Sequence, residues 1–272
     1  MKRFFIIYFG ILILSTGKIC SQTVDSVYKT SFSKNYFKSF LLDTRDIALS
    51  PLHWDYKEYA GAALTGGAIL YVTSRDLQIH NYFMEQESEK NDKIAEKYLE
   101  PWGSGLYSMS TMGLFYLYGV SFKNDRAKRV AMLGAKTFLI SGLFAAIPKI
   151  LFNRYRPYNG KSPDPGMWMG PFAPDFYRSF PSGHTTSIFS VATIVASEYQ
   201  NTVWVPVLCY SIATASGLSR IYSNDHWLSD VMCGAAFGIA MGKLIYNSNN
   251  WKLSINPYSG RNNTGLMLSF KL

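Results

Sequence analysis

KILFNRYRP at residues 149–157, PSGH at 181–184 and SRIYSNDHWLSD at 219–230 decide how this chain folds. Each stretch lies where an apolar run meets polar sequence. The first closes the run 130–152, the second opens 185–197, and the third joins 203–218 to 228–246. Between them they carry three cations (Lys149, Arg156, Arg220), two histidines (His184, His226), a carboxylate (Asp230) and a Ser-Gly turn. For these groups to meet, the ends of four helices must share one face. An up-and-down bundle with antiparallel neighbours does that: one helix ends there, the next starts there, a third returns and a fourth leaves.

The inventory suits a phosphate ester. A phosphoryl group in transfer carries charge on its equatorial oxygens, and catalysis is mostly positioning and charge stabilisation. Lys149 and Arg156 are seven residues apart, close to two helical turns, with Pro157 marking the helix end near Arg156. A guanidinium there binds phosphate with two parallel hydrogen bonds. Arg154, between them, is expected to point elsewhere. Ser182 is a good N-cap, Gly183 allows close backbone approach, and the amides of a helix start favour an anion. His184 then stands in the first turn. His226 and Asp230 have i, i+4 spacing, which predicts a shared helix face and a carboxylate that orients the imidazole as a nucleophile. Arg220 returns a third cation across a polar turn. Taken singly, a His-x-x-x-Asp pair is a common structural hydrogen bond, and PSGH is a common turn. In order and complete, the three are a site.

These residues resemble the type 2 phosphatidic acid phosphatase superfamily, which includes lipid phosphate phosphatases, bacterial acid phosphatases and vanadium haloperoxidases. The family pattern is Lys, six residues, Arg-Pro; then Pro-Ser-Gly-His; then Ser-Arg, five residues, His, three residues, Asp. Every motif position is filled here over residues 149–230. The resemblance implies a phosphohistidine mechanism. His226 would attack phosphorus, Asp230 would orient it, and His184 would protonate the leaving oxygen. Lys149, Arg156, Ser182, Gly183 and Arg220 would hold the phosphate, with no metal and no cofactor. It implies hydrolysis of phosphate monoesters or pyrophosphates, on lipids or other phosphate esters. A soluble periplasmic acid phosphatase and a vanadate-dependent haloperoxidase are the alternatives. Two histidines in opposite required protonation states predict a bell-shaped pH profile.

Composition sets the frame. The chain has 272 residues, a formal charge of +9, and 16% aromatic residues. Its Lys and Arg are dispersed and no nucleic-acid motif is present, so an anionic substrate at an anionic membrane accounts for the charge better than nucleic acid does. Residues 1–21 read as a signal peptide: Lys2 and Arg3, an apolar run too short to span a bilayer, then small or polar residues. A polar and aromatic segment, 22–58, follows; its histidine His53, like His80 further on, reads as surface or interfacial. The phosphatase domain is expected over 59–246. Its runs, rich in Gly, Ala, Ser and Thr, predict an all-α, membrane-embedded bundle of about six helices. The acidic stretch 75–100 reads as one polar helix. The Pro- and aromatic-rich stretch 158–180 reads as a substrate-side lid. The basic connector KNDRAKR at 123–129 predicts a cytoplasmic turn, and hence a periplasm-facing site in a bacterial envelope. Counting crossings back from it conflicts with a cleaved leader, unless the leader is retained, an early run does not span, or 37–49 adds a crossing. The tail 247–272 alternates apolar and polar residues about a turn-rich centre, which predicts a short β-hairpin.

Overall fold

A computed structural model describes residues 34–158, 162–173, 177–249, 252–259 and 264–271. The leader at 1–21 lies outside the described residues.

From residue 34 the N-terminal polar segment is helical: α1 (Lys34–Leu49), then a 3₁₀ turn, Ser50–His53. Helix α2 (Tyr56–Thr73) starts on a reciprocal cap. Asp55 accepts from the Lys57 and Glu58 amides, and Glu58 reaches back to the Asp55 amide. The acidic stretch is not one helix. It divides into α3 (Asp76–Met84), α4 (Glu89–Ile94), a π turn (Ala95–Leu99) and α5 (Glu100–Gly103). Ser88 restarts the helix by accepting from the Asn91 amide, and Pro101 lacks the amide a regular helix would need.

The apolar runs become α6 (Leu106–Ser121), α7 (Asp125–Phe152), α8 (Gly183–Glu198), α9 (Trp204–Tyr222) and α10 (Leu228–Ser248). Helix α7 begins earlier than its apolar run because Asn124 caps it on the Ala127 amide. Most of the basic connector is therefore the first turn of a helix. Helix α8 is the centre of the bundle. Thr185 through Ala196 are all buried, and α7, α9 and α10 pack around it. A helix enclosed on every side has no amphipathic period, which is why its sequence shows only an apolar run.

The tightest packing is between α8 and α10. Gly234, Gly238 and Gly242 recur every four residues on α10. A methyl on Gly234 would lie 2.6 Å from the Ser182 carbonyl oxygen, and one on Gly242 would lie 2.6 Å from Thr193 Cβ. One on Gly238 would strike the Thr186 carbonyl. The stripe lets two backbones touch, and it fixes the start of α10 beside the start of α8. Helix α1 is fastened by charge: buried Lys136 of α7 reaches Asp43 of α1 at 2.5 Å and Asn249 Oδ1 at 3.1 Å.

The outer faces are apolar. Leu114, Leu117 and Val120 on α6, Leu139, Leu143 and Ile147 on α7, and Trp204, Val207 and Leu208 on α9 are exposed. Continuous apolar exteriors of this kind mark contact with lipid or protein. Helices α7 and α10 are each long and apolar enough to cross a membrane. The tail forms the expected hairpin: β1 (Lys252–Ser259) and β2 (Thr264–Lys271) are antiparallel, with Lys252 opposite Lys271 and Ser259 opposite Thr264. His53 is exposed, but His80 is only 4% accessible and lies edge-on to Trp227, with ring centroids 5.4 Å apart. The surface reading of His80 is thus corrected: α3 packs against α10 and carries it inside.

Candidate active site

Helix α7 stops at Phe152, and Asn153 takes a left-handed conformation (φ 41°). Lys149 and Arg156 therefore do not share a continuous helix face. Arg156 lies in the chain beyond, brought back by the turn. That chain is not loose. The Tyr155 amide donates to the Met167 carbonyl (3.0 Å), the Met169 amide to Asn153 (3.2 Å), and the Ser179 amide to Arg154 (3.0 Å). The stretch expected to be a lid is, in its described parts, an ordered crossing tied to the end of α7. It also delivers Arg178, whose carbonyl accepts from Lys149 Nζ at 3.1 Å. The Lys149 stem lies over Gly183, where a methyl would come within 3.3 Å of Cε. Glycine leaves room for that arm.

Ser182 caps α8: its hydroxyl accepts from the Thr185 amide (3.4 Å) and hydroxyl (2.9 Å). Its own amide donates to the Asp230 carbonyl at 3.0 Å, tying the second motif to the third. The Gly183 and His184 amides have no intrahelical acceptor, as at any helix start, and so face an anion position. His184 Nε2 lies 3.0 Å from Glu100 Oε1 of α5, a partner not foreseen from sequence.

In the third motif, the Asp225 and His226 amides both donate to the Arg220 carbonyl, each at 3.1 Å, closing the turn. His226 precedes the cap residue Trp227 and is not in α10. The i, i+4 spacing works through the cap rather than a helix face: Asp230 reaches back and accepts from the Trp227 amide at 3.0 Å. His226 Nδ1 and Asp230 Oδ2 are 3.6 Å apart, too far for a direct hydrogen bond. Ser179 stands between them, donating to Asp230 Oδ2 at 2.5 Å and lying 3.3 Å from Nδ1.

Behind Asp230 sits Arg154, fully buried. It turns away from the other cations, as its intermediate position suggested, but its destination was not legible. It donates to Asp230 Oδ1 (2.5 Å), Ser229 Oγ (2.7 Å) and Asp76 Oδ2 (2.7 Å). Its guanidinium stacks 4.8 Å over the Trp168 ring. Asp76 in turn accepts from the Ser229 amide at 2.9 Å. Sequence reading missed Arg154, Asp76, Ser179 and Glu100. A second arginine two residues before the motif arginine was the one available signal.

At the mouth, the Asp225 carboxylate bridges Arg156 (3.3 Å) and Arg220. It relieves the repulsion of two guanidiniums held side by side. Arg220 Nε is buried with no hydrogen-bond partner among the described residues. A guanidinium held this way keeps a donor to give to an anion. Among the described residues no cluster of His, Cys, Asp or Glu forms a metal-ligand set.

Burial, with the Lys149 and Arg156 charges adding to it, pushes His226 down to about 3, against the pull of Asp230. The ring is neutral throughout the working range, so the acid limb expected of it falls below that range. The unfolded chain takes up this proton near 6.5, and the folded one not until about 3. His226 therefore costs stability as pH falls from 6.5 toward 3, and costs nothing above 6.5. In a histidine-labelled sample, the His226 NMR resonance should not titrate between pH 5 and 8. A midpoint inside that range would contradict the buried neutral ring.

Residues 130–254 match the family model of the PAP2 superfamily. A lipid A 1-phosphatase of Porphyromonas gingivalis is 49% identical over 70 residues, covering 25% of this chain and 16% of that protein. A lipid A 4'-phosphatase of the same organism is 24% identical over 159 residues, covering 53% of this chain and 61% of that protein. The chain thus spans less than two thirds of either relative. A crystal structure described as a transmembrane PAP2 type phosphatidylglycerolphosphate phosphatase from Bacillus subtilis aligns with 78% of this chain and 92% of its own, at 16% identity and a TM-score of 0.45.

Proposed function

Taking residues 130–254 as a PAP2 superfamily domain, we propose that this protein is a metal-independent phosphatase acting on phosphorylated lipids through a phosphohistidine. One observation carries the reading. Lys149, Arg156, Arg220 and the open amides of α8 converge where His184 and His226 stand, and Arg220 Nε is left without a partner. The phosphate fills that position, and the three cations and the helix start supply the charge stabilisation. His226 Nδ1–H is held by Ser179 and, through it, by Asp230. Nε2 is then the free nucleophile. It bonds to phosphorus as the phosphorus–oxygen bond to the lipid breaks, and His184 gives the leaving oxygen its proton. In the second half a water, deprotonated by His184, attacks phosphorus and releases His226. Residues 59–246 form the phosphatase domain.

The lipid reading is supported by the apolar outer faces of α6, α7 and α9. The basic first turn of α7 lies at the opposite end of that helix from Lys149, which supports a periplasm-facing site in a bacterial envelope membrane.

Purified protein should release phosphate from a panel of phosphatidate, phosphatidylglycerol phosphate, undecaprenyl pyrophosphate and lipid A. Activity should persist in EDTA, and orthovanadate should inhibit competitively. Loss of activity in chelator, restored by a divalent ion, would sink the metal-free mechanism. Halide peroxidation in vanadate without phosphate release would sink the phosphatase reading.

A further inference from the structure

A cavity of about 430 Å³ lies beside the candidate site, between α6, α8 and α9. Its walls include Trp102, Met112, Val191, Val195, Tyr199 and Cys209. The lining is hydrocarbon and aromatic, with a few hydroxyls and no charged side chain. Its volume is that of a small-ligand site.

One end of the cavity lies about a helical turn from the candidate site: Ile188 in its wall follows His184 by four residues. Trp102 belongs to α5, the short helix whose Glu100 meets His184 at 3.0 Å. Gly103, the next residue, lies so close that a methyl on it would be 2.8 Å from His184 Cβ. From there the cavity follows α8 through Ile188, Val191 and Val195 to Tyr199. At 1.5 Å per residue, Ile188 to Tyr199 is a run of about 16 Å. At the other end stands Tyr199, with the Arg126 guanidinium 4.2 Å over its ring. Trp204 and Leu208 in its wall are also exposed on the apolar outer face of α9.

Shape selects the occupant. A cavity of about 430 Å³ spread over that run has a mean cross-section of roughly 26 Å². That is the width of one extended polymethylene chain. A helix 10–12 Å across needs at least about 80 Å², so a helix of a second copy does not fit. A water-soluble phosphate ester has nothing to place there. We propose that this groove is the acyl-chain site: when a phosphate sits between His184 and His226, a hydrocarbon chain of the same molecule lies along α8 from Trp102 to Tyr199. The inference rests on the phosphatase reading. It adds which part of the protein selects lipids over soluble esters.

The test compares dodecyl phosphate with butyl phosphate, in wild type and in two variants that fill the groove from opposite walls, Ala192→Phe and Thr111→Trp. Each buried methylene is worth about fourfold in binding, so losing only two shifts the comparison more than tenfold. The kcat/KM ratio of dodecyl to butyl phosphate should fall at least tenfold in both variants. An unchanged ratio in folded variants would overturn the groove, as would a wild type with no chain-length preference. A wild type that cleaves none of dodecyl, butyl or p-nitrophenyl phosphate would instead defeat the phosphatase reading. Cys209 gives a readout free of mutation in the groove. The His226→Ala protein is solubilised in a steroid detergent without alkyl chains and treated with N-ethylmaleimide. Dodecyl phosphate should protect Cys209 and inorganic phosphate should not. Equal protection by both, or a Cys209 already unreactive without ligand, would overturn the proposal.

Discussion

Replacing His226 with alanine is expected to abolish turnover, by about 10⁴-fold or more, while leaving the fold intact. The nucleophile is the one group whose role no neighbour can take over. Ser179 and Asp230 lie on the Nδ1 side, the Arg156 and Arg220 guanidiniums have no lone pair to give, and His184 is assigned to the leaving oxygen. Wild-type enzyme quenched during turnover should carry acid-labile phosphate on His226, and the variant none. Retention of more than a few per cent of activity, or acid-stable label, would mean that another group attacks.

The second large effect is expected at Arg154, which touches no substrate. Arg154→Met keeps the bulk but strips the cation from two buried carboxylates at once. Burial already raises Asp76 above its ordinary value with Arg154 beside it. Breaking a buried ion pair by removing one partner costs about 3–5 kcal/mol. Thermal or denaturant unfolding in detergent should show a loss of that size, and Arg154→Lys should recover little because a point charge cannot serve Asp76, Asp230 and Ser229 together. Asp230, no longer held at Oδ1, should also misalign Ser179 and His226. Turnover should fall by roughly 10³ with KM little changed, since the phosphate cations are untouched. A stable variant with near-normal turnover would reduce Arg154 to a space-filler.

What the sequence made legible was the set of groups that gather at one end of the bundle. The motif spacing fixed which helix ends converge, and Lys149, Ser182, Arg220 and His226 do lie together at one end of the bundle. Less legible was how they get there. Lys149 and Arg156 looked like two turns of one helix, but Asn153 ends that helix between them. His226 and Asp230 looked like a helix face, but they are joined by an N-cap. The support behind the site was invisible because its partners are remote in the chain. Asp76 is 78 residues from Arg154, and nothing local marks either as buried. His80 failed for the same reason. Only the packing of α3 on α10 takes it out of water.

The central position of α8 has a consequence for how such proteins diversify. Thr186, Ser190 and Thr193 face the glycines of α10, and this side leads to Ser182 and Asp230. Ile188, Val191 and Val195 face the groove. Two flanks of a single helix therefore answer to different selection pressures. If the groove holds the hydrocarbon chain as proposed, substitutions on the groove flank, and on α6 and α9 opposite it, should retune which amphiphile is accepted and leave the reaction alone. Those on the glycine flank should disturb the proposed reaction whatever the amphiphile. On that reading the accepted amphiphile and the reaction are governed from opposite flanks of one helix, and each flank can change without the other.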